Sequence, residues 1–161
     1  MSDERTTATT IEPVRCSVVL RCSPARAFEA YTAEMGRWWP TTTHAIEPGR
    51  VVDVVVDGRV GGTIRERLDD GTEHAWADIT AWEPPDRLGL SWHPSIQPTV
   101  STDIDIRFVD QGDGTTRMDV VHTGWERLGA DAQPVRDDYD SGWRFVLGHY
   151  TRHVEGASTS T

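Results

Sequence analysis

Along the 161-residue chain the spacing of apolar positions changes period three times, and each change marks an element. Residues 14–22, VRCSVVLRC, put Val14, Cys16, Val18, Leu20 and Cys22 on one face and Arg15, Ser17 and Arg21 on the other, which predicts a half-buried strand. Ser23-Pro24 reads as the N-cap and first residue of a helix running through Phe28, Tyr31 and Met35 to Gly36. The WWP segment then forms a second short helix or turn. Period two returns in six runs, 50–58, 61–68, 73–82, 87–92, 99–109 and 115–122, separated by turn sequences such as DDGT, EPPD and QGDG. In the last segment, 137–156, Tyr139, Trp143, Val146, Leu147, Tyr150 and Val154 recur at helical spacing, a single apolar stripe that must lie on the sheet. The order strand, helices, six strands, long helix predicts an α+β fold in one domain over 12–155, with polar tails at 1–11 and 156–161 that are expected to be disordered.

The hairpin turns give a register. Across EPPD, Ala77, Ile79 and Ala81 fall opposite Trp92, Leu90 and Leu88, which leaves Trp76, Asp78, Ser91 and His93 on the other face, with Trp82 also turned outward. Across DDGT, Ile64 falls beside Ala77 and Glu66 beside Ala75; in the final hairpin Ile104, Ile106 and Phe108 face His122, Val120 and Met118. The apolar face is rich in small residues (Gly62, Ala75, Ala77, Ala81). A curved sheet so lined either encloses a cavity under the long helix or is filled by that helix's Trp143 and Tyr150.

The net charge of −10 and the lack of a basic run with interleaved aromatics argue against a nucleic-acid partner. The polar N-terminus does not resemble a signal peptide and no stretch approaches a membrane span, so a cytoplasmic protein without membrane contact is expected. Cys16 and Cys22, six apart on one strand and about 20 Å from each other if extended, cannot bridge and are expected as reduced thiols. Seven Trp against three Phe and three Tyr invert the usual aromatic balance, and indoles suit pocket walls as well as cores.

Two polar groups land on the apolar face. Glu66 must either pair with an arginine, sit at a wet rim, or serve as an anchor or general acid for a ligand. His122 is either a core imidazole bonded to the backbone or a ligand contact. His149 and His153 have the i,i+4 spacing of a metal clip, but no third ligand accompanies them and no metal site is expected. No nucleophile elbow, phosphate loop or dinucleotide fingerprint occurs, so no cofactor is expected.

The segments "RWWP" with His44 after it, "VGGTIRERLDDGTEHAWADITAWEPPDRLGLSWHP", "TDIDIRF", "VHTGWERLG" and "YDSGWRFVLGHY" resemble the START-like, or SRPBCC, helix-grip superfamily of birch-pollen-allergen-like and polyketide cyclase-like proteins. The resemblance is strongest to its branch of heat-shock-protein ATPase activator homologues (AHSA-like). It implies a seven-stranded antiparallel sheet wrapped on the C-terminal helix, with two short helices after strand one and a cavity between sheet and helix. It also implies a hydrophobic small-molecule ligand, with walls from Trp38, Trp39, Ile64, Ala77, Ile79, Trp92, Ile106, Trp143 and Leu147 and polar contacts from His44, Glu66 and His122. One of Trp38 and Trp39 would plug the core and the other line the mouth, or both would be structural. Ala77 stands where the pattern has glycine, and its methyl would narrow the cavity. Two other functions are carried alongside: a cyclase- or hydrolase-type enzyme using Glu66 or a histidine as acid or base, and a protein-interaction module, chaperone co-factor or homodimer, built on outward-facing Trp76 and Trp82.

Overall fold

The computed structural model describes residues 11–94 and 100–159. The N-terminal residues 1–10, the last two residues, and Thr99 of the expected sixth strand lie outside the described residues. Strand β1 (Val14–Leu20) is followed by helices α1 (Pro24–Thr32) and α2 (Met35–Trp38). Six strands succeed them: β2 (Val51–Val56), β3 (Thr63–Leu68), β4 (Glu73–Glu83), β5 (Arg87–Trp92), β6 (Thr102–Asp110) and β7 (Thr116–Thr123). A 3₁₀ segment (Trp125–Asp131) leads into the long helix α3 (Ala132–Thr159). All seven strands form one antiparallel sheet in the order β1-β7-β6-β5-β4-β3-β2. The curved sheet grips α3, and the fold is the α+β helix-grip. No helix among the described residues is long and apolar enough to cross a membrane.

Local chemistry explains the boundaries. Ser23 caps α1, its hydroxyl accepting the Arg26 N–H at 3.2 Å, with Pro24 at the first turn. The helix stops at Thr32, earlier than the spacing predicts, and the chain restarts at Met35 as the short α2. In the β3–β4 turn Gly71 takes φ 88°, a conformation open to glycine, while Asp70 accepts the Thr72 N–H. The 3₁₀ segment after β7, which no period in the sequence signals, begins at Gly124 with φ 90°.

The expected register holds at Ala77 against Trp92, Ile79 against Leu90, Ile64 against Ala77, and through the β6–β7 hairpin. It fails at two bulges on β4. Between the Ile64–Ala77 and Arg65–Ala75 pairs Trp76 is the extra residue, so Glu66 faces His74 rather than Ala75. Between Ile79–Leu90 and Ala81–Gly89 the extra residue is Thr80, so Trp82 rather than Ala81 pairs with Leu88. Each bulge reverses the alternation beyond it. The two indoles expected outside are therefore turned in: Trp76 is 1% exposed, and half-buried Trp82 packs edge-on to Phe28 with ring centroids 5.0 Å apart. The outward apolar patch predicted from them does not exist.

The core is continuous but unevenly filled. Under α1 and the C-terminal half of α3, Tyr31, Trp38 and Tyr150 pack ring to ring at 5.0–5.3 Å, and the Tyr150 hydroxyl donates to the Ala27 carbonyl at 2.6 Å. Phe28 extends this cluster to Phe108. At the other end, beside the N-terminal half of α3, packing gives way to a cavity.

Candidate ligand-binding site

The cavity has a volume of about 310 Å³ and lies between α3, strands β4 and β5, and the loop 40–50. Trp39, Trp76, Trp92 and Trp143 form most of its wall. The loop supplies Thr43, His44 and Ala45, the end of β5 supplies Pro94, and α3 supplies Asp138, Tyr139, Gly142 and Val146. Centroid distances of 5.1 Å from Trp39 to Trp76, and of 6.1 Å from each of these to Trp92, make the three indoles a tilted box.

Every indole N–H in the box is committed to a protein acceptor. Trp39 donates to the His44 carbonyl at 2.7 Å, Trp76 to Glu66 Oε1 at 2.7 Å, Trp92 to the Tyr139 hydroxyl at 3.0 Å and Trp143 to His122 Nδ1 at 3.0 Å. What the four offer the cavity is ring carbon. Polar groups are few. The Tyr139 hydroxyl accepts from Trp92, so its own proton remains to be donated, and burial raises its pKa and keeps it neutral. His44 stacks on the half-exposed Phe145 at 5.0 Å and shares a 2.7 Å hydrogen bond between Nδ1 and Thr43 Oγ1. Burial lowers the His44 pKa, with nearby His149 acting in the same direction and Asp138 opposing both, which favours the neutral ring.

Glu66 is inward, as its position requires, but it lies behind the wall. It is fully buried and among the described residues pairs with no arginine; Oε1 takes the Ile46 N–H at 2.7 Å as well as the Trp76 indole, and Oε2 takes the Glu47 N–H at 3.0 Å. Its carboxylate holds the 40–50 loop onto β3 and orients one wall. His122 is likewise internal. Its Nδ1 accepts from Trp143, leaving the Nε2 proton to go to Thr102 Oγ1 at 2.7 Å, and Trp125 packs against the ring at 4.2 Å, tilted by 41°. Burial pushes its pKa down to about 3. Three strands separate Glu66 on β3 from His122 on β7, so they form no dyad.

Of the residues expected to line the site, Trp39, His44, Trp92 and Trp143 do so. Trp38 does not: its indole donates to the Ala30 carbonyl within the packed end. Ile64, Ala77, Ile79 and Ile106 are sheet core packed away from the cavity, and the Ala77 methyl therefore does not narrow it. Leu147 faces a separate groove beside β1. Sequence reasoning missed Trp76, because no alternation pattern shows a bulge, and it missed Tyr139, Gly142 and Val146 as wall, because a helical stripe reads as core. Asp138 carried no signal at all. Among the described residues no group of three or more His, Cys, Asp or Glu is placed to hold a metal; His149 turns to Phe145 and His153 bonds Glu34 at 2.7 Å.

Among curated proteins none matches the chain. Among solved structures it is similar to the anthrahydroquino-γ-pyrone synthase Txn09 complexed with SUM, at 32% identity over 76% of this chain and 82% of that one, with a TM-score of 0.56. It is similar to the self-sacrificing resistance protein CalC from Micromonospora echinospora, at 26% identity over 93% and 98% of the two chains, TM-score 0.70. The Aha1 dimer from Colwellia psychrerythraea shares the fold at 17% identity, over 90% and 97%, TM-score 0.65. The model of the family described as Activator of Hsp90 ATPase homolog 1-like protein matches residues 21–152. With the helix-grip architecture, that match makes the chain a member of this family, within the SRPBCC superfamily.

Proposed function

We propose that this protein binds a flat hydrophobic or aromatic small molecule in the cavity between the sheet and α3. The observation that carries the reading is the box of indoles whose N–H groups all point into the protein, leaving a cavity of about 310 Å³ faced with ring surface. Such a wall favours stacking and offers little to a polar guest. Gly142 supports it: a glycine inside a helix costs about 1 kcal/mol against alanine, and a Cβ there would meet nothing within 4 Å. The similarity to Txn09, a synthase of an anthrahydroquinone-type pyrone, supports fused aromatic ligands as the class.

Titration with 2-hydroxymethylanthraquinone, followed by tryptophan emission and thermal unfolding, tests this. Saturable quenching is expected, with stability rising by about 2.7 kcal/mol at 100 times the dissociation constant. Quenching that never saturates, with no thermal shift, would sink the proposal.

The Txn09 similarity also favours a second reading, turnover of the bound ligand. Acid–base work would then fall to His44, Tyr139 or Asp138, which line the cavity, and not to Glu66 or His122, which are bonded behind it. A mass or retention change in a bound polyketide-like ligand, lost in His44→Ala, would establish it. The protein-interaction reading loses its motive now that Trp76 and Trp82 are turned in, and the Aha1 likeness carries the fold alone.

A further inference from the structure

The charge at the cavity mouth narrows the ligand class. Three acids stand close together on α3, and two of them are paired. Asp137 accepts from Gln133 at 2.9 Å and from Arg136 at 3.1 Å; Asp140 pairs with Arg144 at 3.1 Å and lies 3.9 Å from Arg136. Asp138, the one that lines the cavity, makes no side-chain hydrogen bond or ion pair among the described residues. Among the described residues no arginine lines the cavity, and the chain contains no lysine. The other titratable groups there are His44, whose pKa burial lowers against the pull of Asp138, and Tyr139, whose pKa burial raises, so both favour their neutral forms. The Asp138 carboxylate is therefore the one formal charge among the lining residues.

The wall adds to that field. Indole faces carry negative quadrupole potential, and here no N–H edge is turned to the cavity to offset it. A carboxylate at the rim of an aromatic box attracts a cation by two additive routes, ion pairing and cation–π contact, and the overall charge of −10 steers cations toward the surface. An anionic ligand would meet the opposite of each.

We propose that the ligand of this pocket is a flat aromatic that carries a protonated amine, its rings among the indoles and its ammonium against Asp138. This rests on the aromatic-ligand reading above and adds the charge to it. The amine donates to the carboxylate while the rings replace water against Trp39, Trp92 and Trp143. The cavity thus selects by charge at one end and by shape at the other.

Three anthraquinones that differ only at position 2 test it: the aminomethyl, the hydroxymethyl and the carboxylate compounds, titrated by tryptophan quenching at pH 7 and low ionic strength. The aminomethyl compound is expected to bind about tenfold more tightly than the hydroxymethyl one, and the carboxylate most weakly. In Asp138→Asn the advantage of the amine over the alcohol should fall to within about twofold. Asp138→Lys should invert the order, with the carboxylate first. Asp138 is exposed, so both variants should unfold near the wild-type temperature. Equal affinities in the wild type, or an amine preference that survives Asp138→Asn, overturn the charge proposal and leave the aromatic pocket standing. Failure of all three probes to bind overturns the pocket reading and this proposal with it.

Discussion

Trp38 and Trp39 are adjacent in the chain and their rings are 5.6 Å apart, yet they belong to different parts of the molecule. Trp38 closes the short α2, donates to the Ala30 carbonyl and packs against Tyr31 and Tyr150 where the interior is full. Trp39 has left the helix, with φ −64° and ψ 131°, donates to the His44 carbonyl and lines the cavity. The residue between helix and loop that enforces the change is Pro40, whose ring disfavours helical geometry in the residue before it. Pro40 thus swings the second indole off the first one's face. The packed end and the open end of one core differ by a single peptide unit at this point.

Truncation of each indole is the strongest way to break the comparison. Trp38→Ala should cost about 3–5 kcal/mol, the range for a large aromatic lost from a filled core, measured by urea unfolding. Trp39→Ala should cost clearly less, because its ring already borders empty space, but should abolish quenching by an anthraquinone. Equal losses of stability from the two would erase the distinction. Glu66→Ala comes next. It leaves the buried Trp76 indole and two part-buried backbone N–H groups without an acceptor, at about 1–3 kcal/mol for each that water cannot reach, and amide exchange at Ile46 and Glu47 should accelerate ahead of the rest of the chain.

A smaller, pH-linked effect sharpens the internal role of His122. Its folded pKa of about 3 lies below the unfolded value near 6.5, so the unfolded chain holds the extra proton between those limits. The contribution from this ring is complete above pH 6.5 and is lost as pH falls toward 3, at up to about 1.4 kcal/mol per pH unit. His44, whose pKa burial also lowers, acts in the same sense. Imidazole NMR should find His122 neutral down to about pH 4; a midpoint near 6.5 would contradict the cage of Trp125, Trp143 and Thr102. The smallest effect is Gly142→Ala, expected to add up to about 1 kcal/mol of stability while weakening the ligand, because the new methyl enters the space the ligand would fill.

The architecture was legible because it rests on periods: two for the strands, about 3.6 for α3, and turn residues at fixed places between them. The inward placement of Glu66 and His122 followed from the same alternation. What alternation cannot show is a residue added to it. Trp76 and Thr80 each insert one position into β4, and that alone turned two expected surface indoles into core. Nor does a pattern reveal a polar group's partner: Glu66 was expected to meet an arginine, water or a ligand and instead meets backbone N–H groups from a loop about twenty residues away. On α3 the cavity wall and the packed stripe share one periodicity, so Tyr139 and Val146 could not be sorted from Tyr150 without the sheet in place.

One oxygen atom, Oε1 of Glu66, receives both the Ile46 amide from the loop and the Trp76 indole from the sheet. The loop and the wall of the cavity are therefore tied to the same point, and their spacing there is the length of two hydrogen bonds. Lifting the loop off the sheet here would break one of these bonds or both. Along this edge one buried carboxylate works as a rivet between loop and sheet.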